Sequence, residues 1–239
     1  EAELVLKVRI FDDFCTFSID TSGPALHIRG HKEALNKAPM RETLASLFLR
    51  QMGYDGSQTV VDPMCGSGTF PIEAAEQAAG LFPGRSRSFA FEKLASFDHG
   101  KWDQLKQSAK TRQVLGQFFG FDRDMGAIRL SQDNANRAEV GDMIQFQHAA
   151  ISDLEPPDAP VGIVIINPPY GGRIGERKML FSLYGAMGQT LKTRFKGWKI
   201  GILTTDGGLA KATGLPFLPS LPPVPHGGKR VTLHRTDPL

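Results

Sequence analysis

The sequence has little cysteine and no long apolar segment. Its two cysteines, Cys15 and Cys65, lie in different predicted elements, and there is no Cys-x-x-Cys pair and no cluster of histidines. A structural zinc site is therefore not expected, and we predict no metal. Scarce cysteine is typical of a reducing compartment, so the cytoplasm is the expected location. No segment approaches the ~18 consecutive apolar residues of a membrane span, so no membrane partner is expected.

The chain also lacks a strong charge of one sign and a targeting pattern. Its 239 residues carry 28 Lys and Arg against 25 Asp and Glu, a net charge of +3. Such a balance permits nucleic acid as a partner without requiring it. The first residues have neither an initiator Met nor the basic-then-apolar pattern of a signal peptide. We therefore expect a fragment of a longer protein, built as one main globular domain with an appendage.

Strand and helix patterns alternate from residue 40 onward, which predicts a doubly wound α/β fold with a mostly parallel sheet. Short apolar runs predict the strands, and apolar residues at helical spacing predict the helices. Strands are expected at 59–61, 118–122, 143–148, 161–166, 198–204 and 231–234. Helices are expected at 40–52, 72–79, 104–115, 125–138, 180–191 and from 209 onward.

The remaining segments are interpreted from their composition. Residues 4–20 predict a short β-ribbon, either the end of a preceding module or a ribbon packed on the main domain. Residues 27–37 are basic and are interpreted as a solvated linker in preference to a phosphate-contacting strip. Residues 80–117 form an insertion whose aromatic side chains anchor it to the core rather than bind RNA. Five prolines and three glycines predict an irregular tail over 214–228.

A glycine-rich turn follows the first predicted strand of the sheet. The segment Asp62 to Thr69 lacks both the Gly-x-Gly-x-x-Gly and the Gly-Lys-Ser/Thr patterns of phosphate-binding loops. A carboxylate at Asp62 would repel a pyrophosphate but attract an ammonium, while Gly66 and Gly68 allow close approach of a ligand. S-adenosylmethionine fits these requirements, and a plain tight turn is the alternative. Cys65 is interpreted as a small residue in this turn rather than a nucleophile.

Two further carboxylates follow later strands. Asp122 ends the second strand of the sheet, where an acidic residue can accept the hydroxyls of a ribose. Asp153 lies at the exit of the third strand and could bind an adenine amine, although a surface carboxylate is an equal alternative. Both positions lie after the carboxyl end of a strand, where open α/β sheets bind their ligands.

An Asn-Pro-Pro-Tyr loop, residues 167–170, directly follows the apolar run 161–166. Two prolines stop the sheet, so the loop is stiff and turns away from the strand. It presents an amide oxygen, backbone carbonyls and a flat ring. These groups suit a planar base with an exocyclic amine. A rigid turn with a packing tyrosine is the alternative interpretation.

Together these residues resemble the THUMP-associated class I RNA guanine-N2 methyltransferases, and most closely the bacterial 23S rRNA type. The resemblance covers roughly residues 4–212. The Pro-rich tail from Gly214 lies outside it. The segments that carry the resemblance are Asp62–Thr69, Ile72–Ala75, Asn167–Gly171, Thr21–Gly23, Leu26–Gly30, Ala38–Ala45, Phe82–Gly84 and Gly197–Trp198.

The resemblance implies a Rossmann-like domain that uses S-adenosylmethionine to methylate the N2 amine of a guanine in RNA. Residues 1–37 would end a THUMP-type or linker region, and 38–239 would form the methyltransferase domain. Ala150 stands where the family often has an acidic residue for the adenine, so Asp153 or a backbone amide would serve. The alternatives are an adenine-N6 methyltransferase of DNA or RNA, a tRNA guanine-N2 methyltransferase, a non-catalytic RNA-binding module and, least favoured, a dehydrogenase.

The resemblance also assigns the site residues. The target base would be flipped out of its stack, its amine held by Asn167 and the Pro168 carbonyl and its ring stacked on Tyr170. The catalytic set is Asn167, Pro168, Pro169 and Tyr170. The residues expected at the cofactor are Asp62, Pro63, Cys65, Gly66, Ser67, Gly68, Thr69, Asp122, Arg123, Ala150, Asp153 and Asn167.

Overall fold

Short buried apolar runs build a central sheet in the computed structural model, which describes residues 4–32, 40–108, 112–171 and 177–239. Within these residues the sheet has seven strands in the order β5-β4-β3-β6-β7-β9-β8. The strands are β1 (Leu6–Phe11), β2 (Phe14–Ile19), β3 (Val60–Asp62), β4 (Phe118–Asp122), β5 (Ile144–His148), β6 (Ile163–Ile166), β7 (Lys199–Thr204), β8 (Val224–His226) and β9 (Lys229–Arg235). The helices are α1 (Glu42–Gln51), α2 (Thr69–Ala78), α3 (His99–Gln107), α4 (Met125–Arg137), α5 (Arg177–Arg194) and α6 (Gly207–Ala212).

Helices cover both faces of the sheet, as expected for parallel strands whose residues are buried on both sides. Val60 and Val61 show the division, because successive side chains of a strand point to opposite faces. Val60 belongs to the core formed with α1, α2 and α4, and Val61 to the core formed with α5 and α6. The doubly wound α/β prediction is therefore confirmed. No helix among the described residues is long and apolar enough to cross a bilayer.

The chain changes direction across the sheet between β3 and β6. β3 pairs in parallel with β4 on one side and with β6 on the other. Strands β4 and β5 extend the sheet one way, whereas β6, β7 and the antiparallel β9 and β8 extend it the other way. The carboxyl ends of β3, β4 and β6 therefore lie at one edge, next to the point where the strand order reverses. This is where open α/β sheets bind ligands.

The N-terminal β-ribbon is confirmed. β1 and β2 are antiparallel and joined by Asp12 and Asp13, which both have a positive φ. Such a turn matches the right-handed twist of the two strands. All residues of both strands are exposed, including Phe11 and Phe14. The ribbon therefore makes little contact with the described part of the main domain.

Two predicted elements were wrong in their extent. The helix expected at 104–115 instead ends at Gln107, and it begins earlier because the side chain of Asp98 accepts a hydrogen bond from Lys101 N at 3.0 Å. Residues 109–111 lie outside the described residues. The tail expected to be irregular over 214–228 contains β8, an edge strand in which Pro225 is tolerated because one side of the strand needs no ladder partner.

Residues 27–37 were interpreted as a solvated linker, which is wrong for Arg29 and His31. Positions 33–39 lie outside the described residues. Arg29 and His31 are 6% and 4% exposed. Arg29 pairs with Glu73 and Glu76 of α2, and His31 Nε2 lies 3.2 Å from Glu76 Oε1. Composition alone could not show this burial, because the acidic partners of these two residues lie on a helix that is distant in sequence.

Glu76 is the centre of this buried ion cluster. Arg85 Nη1 from the insertion lies 2.6 Å from Glu76 Oε1, the oxygen that His31 also approaches, and Arg29 contacts Oε2. Burial alone would raise the pKa of Glu76, but the hydrogen bond from His31 and the charge of Arg85 prevail and lower it. The cluster therefore ties residues 29–31, α2 and the insertion together.

Replacing Arg29 with Met is expected to destabilise the fold by about 3–5 kcal/mol, because the carboxyl of Glu73 stays buried without its cation and Glu76 loses one of its two guanidinium partners. Chemical denaturation followed by circular dichroism measures the change. Lys101→Met is the matched control, because its pair with Asp98 is exposed and should contribute little. An Arg29→Met protein as stable as the parent would show that the cluster does not hold these segments together.

Candidate functional site

A cavity of about 440 Å³ opens at the carboxyl ends of β3 and β6. Its lining residues are drawn from three segments, 62–70, 167–170 and 226–229, together with Met40. The first two segments are the glycine-rich turn and the Asn-Pro-Pro-Tyr loop, which are distant in sequence. Parallel pairing of their strands brings them to one cavity.

The glycine-rich turn adopts a backbone that glycine favours. Gly66 and Gly68 have φ values of +56° and +78°, in the left-handed region. A Cβ on Gly68 would lie 3.1 Å from Ser131 Cβ and 3.2 Å from Phe146 Cζ, so this position is also crowded. A Cβ on Gly66 would have no atom of the other described residues within 4 Å, apart from its chain neighbours. The backbone at Gly66 is therefore open to a ligand.

Helix α4 and β4 hold the turn in place. Ser131 Oγ donates to Gly66 O, and Asn134 Nδ2 donates to Ser67 O, both at 3.0 Å. Gly66 N donates to Asp122 Oδ2 at 3.0 Å. Asp122 therefore supports the turn as well as standing next to it, a role that the sequence did not predict. Each carboxylate oxygen keeps a further lone pair for a ligand hydroxyl.

Asp62 is the most deeply buried acidic group at the cavity, with 2% exposure. Burial raises its pKa well above the ordinary range, and repulsion from Asp122 acts in the same direction. A hydrogen bond of 3.1 Å from Met64 N opposes this shift. A bound cation would relieve this repulsion. Two neighbouring carboxylates beside an open glycine backbone therefore fit a ligand with an ammonium or sulfonium charge.

Cys65 lines the same cavity, but its environment does not suit a nucleophile. The residue is 5% exposed. Burial, followed by the charge of Asp62, raises the pKa of the thiol well above its ordinary value. The thiol therefore stays protonated at neutral pH, which supports the interpretation of Cys65 as a turn residue. In the described segments, no group of three or more His, Cys, Asp and Glu could hold a metal.

The Asn-Pro-Pro-Tyr loop places one unpaired oxygen at the cavity. Asn167 Oδ1 is buried and has no hydrogen-bond partner among the described residues. Leaving such an oxygen unpaired costs about 1–3 kcal/mol, so a donor from a ligand would be favoured there. Tyr170 is partly buried, in contact with both hydrophobic cores, and burial raises the pKa of its hydroxyl. Its ring lines the same cavity as Asn167 and offers a flat surface for stacking.

Six expected cofactor residues are not among those that line this cavity: Pro63, Gly68, Asp122, Arg123, Ala150 and Asp153. Arg123 is exposed, and its backbone oxygen lies 2.9 Å from His148 Nε2. Asp153 is exposed and lines a separate surface cavity, and its backbone N donates to Ala150 O at 3.0 Å. The cofactor assignments of these six residues stay predictions, as do those of the predicted residues that line the cavity.

The sequence reasoning missed a third segment of the site, the turn of the β8–β9 hairpin. His226, Gly227 and Lys229 line the same cavity as the glycine-rich turn. Lys229 Nζ lies 5.9 Å from the centroid of the Tyr170 ring. Gly227 and Gly228 have positive φ values, as in a two-residue hairpin turn. The Gly-Gly pair between two short β patterns was the signal that could have revealed the hairpin.

The strand order and a ligand site at the reversal of the sheet define the general class, a Rossmann-like domain of the class I methyltransferase type. The particular family follows from the sequence. The chain belongs to UPF0020, the RMKL-like methyltransferase domain family, whose model matches residues 29–216.

Curated relatives agree with this family. The ribosomal RNA large subunit methyltransferase K/L of Vibrio campbellii is 39% identical over 212 residues, covering 85% of this chain and 30% of that protein. The protein of the same name from Shewanella amazonensis is 42% identical over 199 residues, 80% of this chain and 28% of that protein. The chain spans less than a third of the length of these two relatives, and 61% of slr0064 of Synechocystis sp., which is 36% identical.

Solved structures of similar proteins share the fold over nearly the whole chain. SMU.472, complexed with SAH, has a TM-score of 0.88 and 28% identity, covering 99% of this chain and 62% of that one. A protein of Listeria monocytogenes, named as a predicted N6-adenine-specific DNA methylase, has a TM-score of 0.84 and 30% identity. It covers 98% of this chain and 60% of that one. The Rossmann-like fold is thereby confirmed.

Asp62→Asn is expected to stabilise the folded protein at neutral pH. A pKa raised by folding makes the ionised group unfavourable, so Asp62 costs stability above its unfolded pKa. An amide keeps the acceptor for Met64 N but carries no charge. The gain should therefore shrink as the pH falls and vanish below about pH 4, where the carboxyl is protonated in both states.

Urea denaturation at neutral and acidic pH measures this dependence. Asp55→Asn is the control, because Asp55 is exposed and hydrogen bonds from Ser57 lower its pKa, so no gain is expected there. A parent protein more stable than Asp62→Asn at pH 7 would contradict the repulsion inferred at this site.

Proposed function

We propose that this domain transfers a methyl group from S-adenosylmethionine to the N2 amine of a guanine in RNA, most specifically in 23S rRNA. One observation carries the proposal: Asn167, whose Oδ1 is buried and unpaired among the described residues, lines the same cavity as Asp62. An acceptor for an amine thus lies beside an acceptor for a cationic cofactor. This pairing is what methyl transfer to an exocyclic amine requires.

The glycine-rich turn would hold the cofactor, as its chemistry fits. S-adenosylmethionine supplies an electrophilic methyl group on a positively charged sulfur. Asp62 would accept the ammonium of the methionine end, and the open backbone at Gly66 would allow close approach. Asp122 would accept ribose hydroxyls with its remaining lone pairs while still bound to Gly66 N. SMU.472, which shares the fold, was solved with SAH, the product form of this cofactor.

The Asn-Pro-Pro-Tyr loop would hold the target amine. Asn167 Oδ1 and the Pro168 carbonyl would accept its two N–H groups, which directs the nitrogen lone pair toward the methyl group. The same oxygens would disperse the positive charge that develops on nitrogen. The Tyr170 ring would stack on a base flipped out of its helix. Proximity and orientation supply most of the rate, so no nucleophilic cysteine is needed.

The choice of RNA and guanine rests on the family. The curated relatives at 39% and 42% identity are named ribosomal RNA large subunit methyltransferases. The boundary near residue 38, with a THUMP-type or linker region before it, is part of the same proposal. In these relatives the matching region is only part of a longer protein. The full activity is therefore proposed for the whole protein.

Methylation of adenine N6 is the second candidate. The loop residues suit any exocyclic amine, and the Listeria monocytogenes protein at 30% identity is named as an adenine-specific DNA methylase. Methylation of RNA and of DNA, followed by digestion and mass spectrometry of the nucleosides, separates the two. N2-methylguanosine supports the proposal, and N6-methyladenosine or its deoxy form replaces it.

Asn167→Ala is expected to lower the rate of methyl transfer by about 10²–10³-fold, because the amine loses its positioned acceptor. Cofactor affinity, measured by calorimetry with S-adenosylmethionine, should stay close to that of the parent. Asn136→Ala is the matched control, since Asn136 is exposed on α4 away from the cavity. Transfer to rRNA near the parental rate would refute the role of Asn167.

Asp62→Asn is expected to show the opposite pattern, with cofactor affinity about 10–100-fold weaker. The reason is the loss of a charge-assisted hydrogen bond worth about 1.5–3 kcal/mol. Calorimetry with S-adenosylmethionine measures the change, and Asp55→Asn serves as the exposed control. Unchanged affinity would show that the cofactor ammonium is held elsewhere.

A further inference from the structure

A second cavity of about 410 Å³ adjoins the first one. Residues 27–32 and 40–42 form most of its lining. Met40, His226 and Gly227 line both cavities, so the tip of the β8–β9 hairpin stands between them. An extended ligand that places one group in the first cavity can therefore continue into the second cavity.

Two exposed cations flank this hairpin tip. Arg41 lines the second cavity, and Lys229 lines the first, next to Tyr170. The structure gives neither side chain a carboxylate partner among the described residues. Arg29 and Lys32 also line the second cavity, but they already pair with Glu73 and Glu42 respectively. Arg41 and Lys229 are thus the cations with capacity left for a ligand.

His226 supplies a third polar group between these two cations. The residue is 8% exposed, and its buried Nδ1 has no hydrogen-bond partner in the described part of the chain. Burial, followed by the nearby charge of Arg41, lowers its pKa, so the imidazole is neutral at pH 7. A neutral ring can donate one hydrogen bond without adding charge.

We propose that Arg41, His226 and Lys229 form a subsite for the phosphodiester backbone next to the target nucleotide. This inference rests on the proposed function, because it places the target base against Tyr170. A flipped nucleotide carries a phosphate on each side, and the hairpin tip that both cavities share offers a path for this backbone from one cavity to the other. Lys229, which lines the first cavity, and Arg41, which lines the second, would contact that backbone on either side of His226.

Such contacts fix the register of a nucleic acid without reading its sequence. Their energy depends on salt, because each phosphate contact releases a condensed counterion. The subsite would therefore affect binding of the RNA chain and leave the cofactor side of the site unaffected. This separates it from a purely structural role of Lys229 in supporting the Tyr170 ring, which would not depend on salt.

The test measures the affinity of a fluorescein-labelled single-stranded RNA oligonucleotide between about 50 and 200 mM salt, by fluorescence anisotropy. The full-length protein is compared with its Arg41→Gln and Lys229→Gln variants. Each variant should lower the slope of log affinity against log salt by about 0.7 for each lost contact. The KM for rRNA in the methylation assay should rise, while calorimetry should give the parental affinity for S-adenosylmethionine. The Lys229→Arg variant should keep the parental slope of log affinity against log salt, because arginine carries the same charge.

Lys196→Gln is the matched control, because Lys196 is exposed before the amino end of β7, opposite the site. It should leave the slope and the KM unchanged. Parental slopes in Arg41→Gln and Lys229→Gln, or an equal loss in Lys196→Gln, would overturn the subsite. If the parent methylated no RNA while the two variants still lost slope, the proposed function would fail and the phosphate subsite would stand.

Discussion

Parallel pairing of β3 with β6 is the interaction on which the site depends. Val60 and Val61 pair with Ile163 and Val164, so the two strands end at the same edge of the sheet. Both strands are buried on both faces, and a shift in their register would expose apolar side chains. The core therefore fixes the distance between Asp62 and Asn167. Neither loop needs contacts with the other to be positioned.

A network of polar contacts connects the glycine-rich turn and the start of α2 to residues 31 and 32, which precede α1. Lys32 Nζ donates to Thr69 Oγ1 at 2.7 Å, at the start of α2 and beside the glycine-rich turn. Arg137 Nε donates to His31 O at 2.7 Å, and Asn134 on the same helix holds Ser67 O. Residues 31 and 32 are thus connected to the turn by two routes. A displacement of this segment would be transmitted to the backbone of the glycine-rich turn.

The sequence predicted the parts of the fold that local signals define. Strand β4 was predicted at 118–122 from an apolar run that ends in an acidic residue, and the two loops were predicted because a carboxylate or prolines follow their strands. Local sequence signals failed for residues whose interaction partner lies far away in the chain. The burial of Arg29 depends on Glu73 and Glu76, and the place of His226 and Lys229 depends on β9 pairing with β7. The prolines near β8 favoured the prediction of an irregular tail, so the β8–β9 hairpin was missed although its Gly-Gly turn was a signal for it.

The exposed N-terminal ribbon has a consequence for handling the domain by itself. Within the described residues neither β1 nor β2 pairs with a third strand, so both carry open edges beside apolar side chains. Such edges are templates for intermolecular β-pairing, the first step of aggregation. Lys7 and Arg9 alternate with the apolar residues of β1 and act as gatekeepers, because stacked like charges oppose that pairing. Two cations that do not line the candidate site would therefore protect the isolated domain from aggregation.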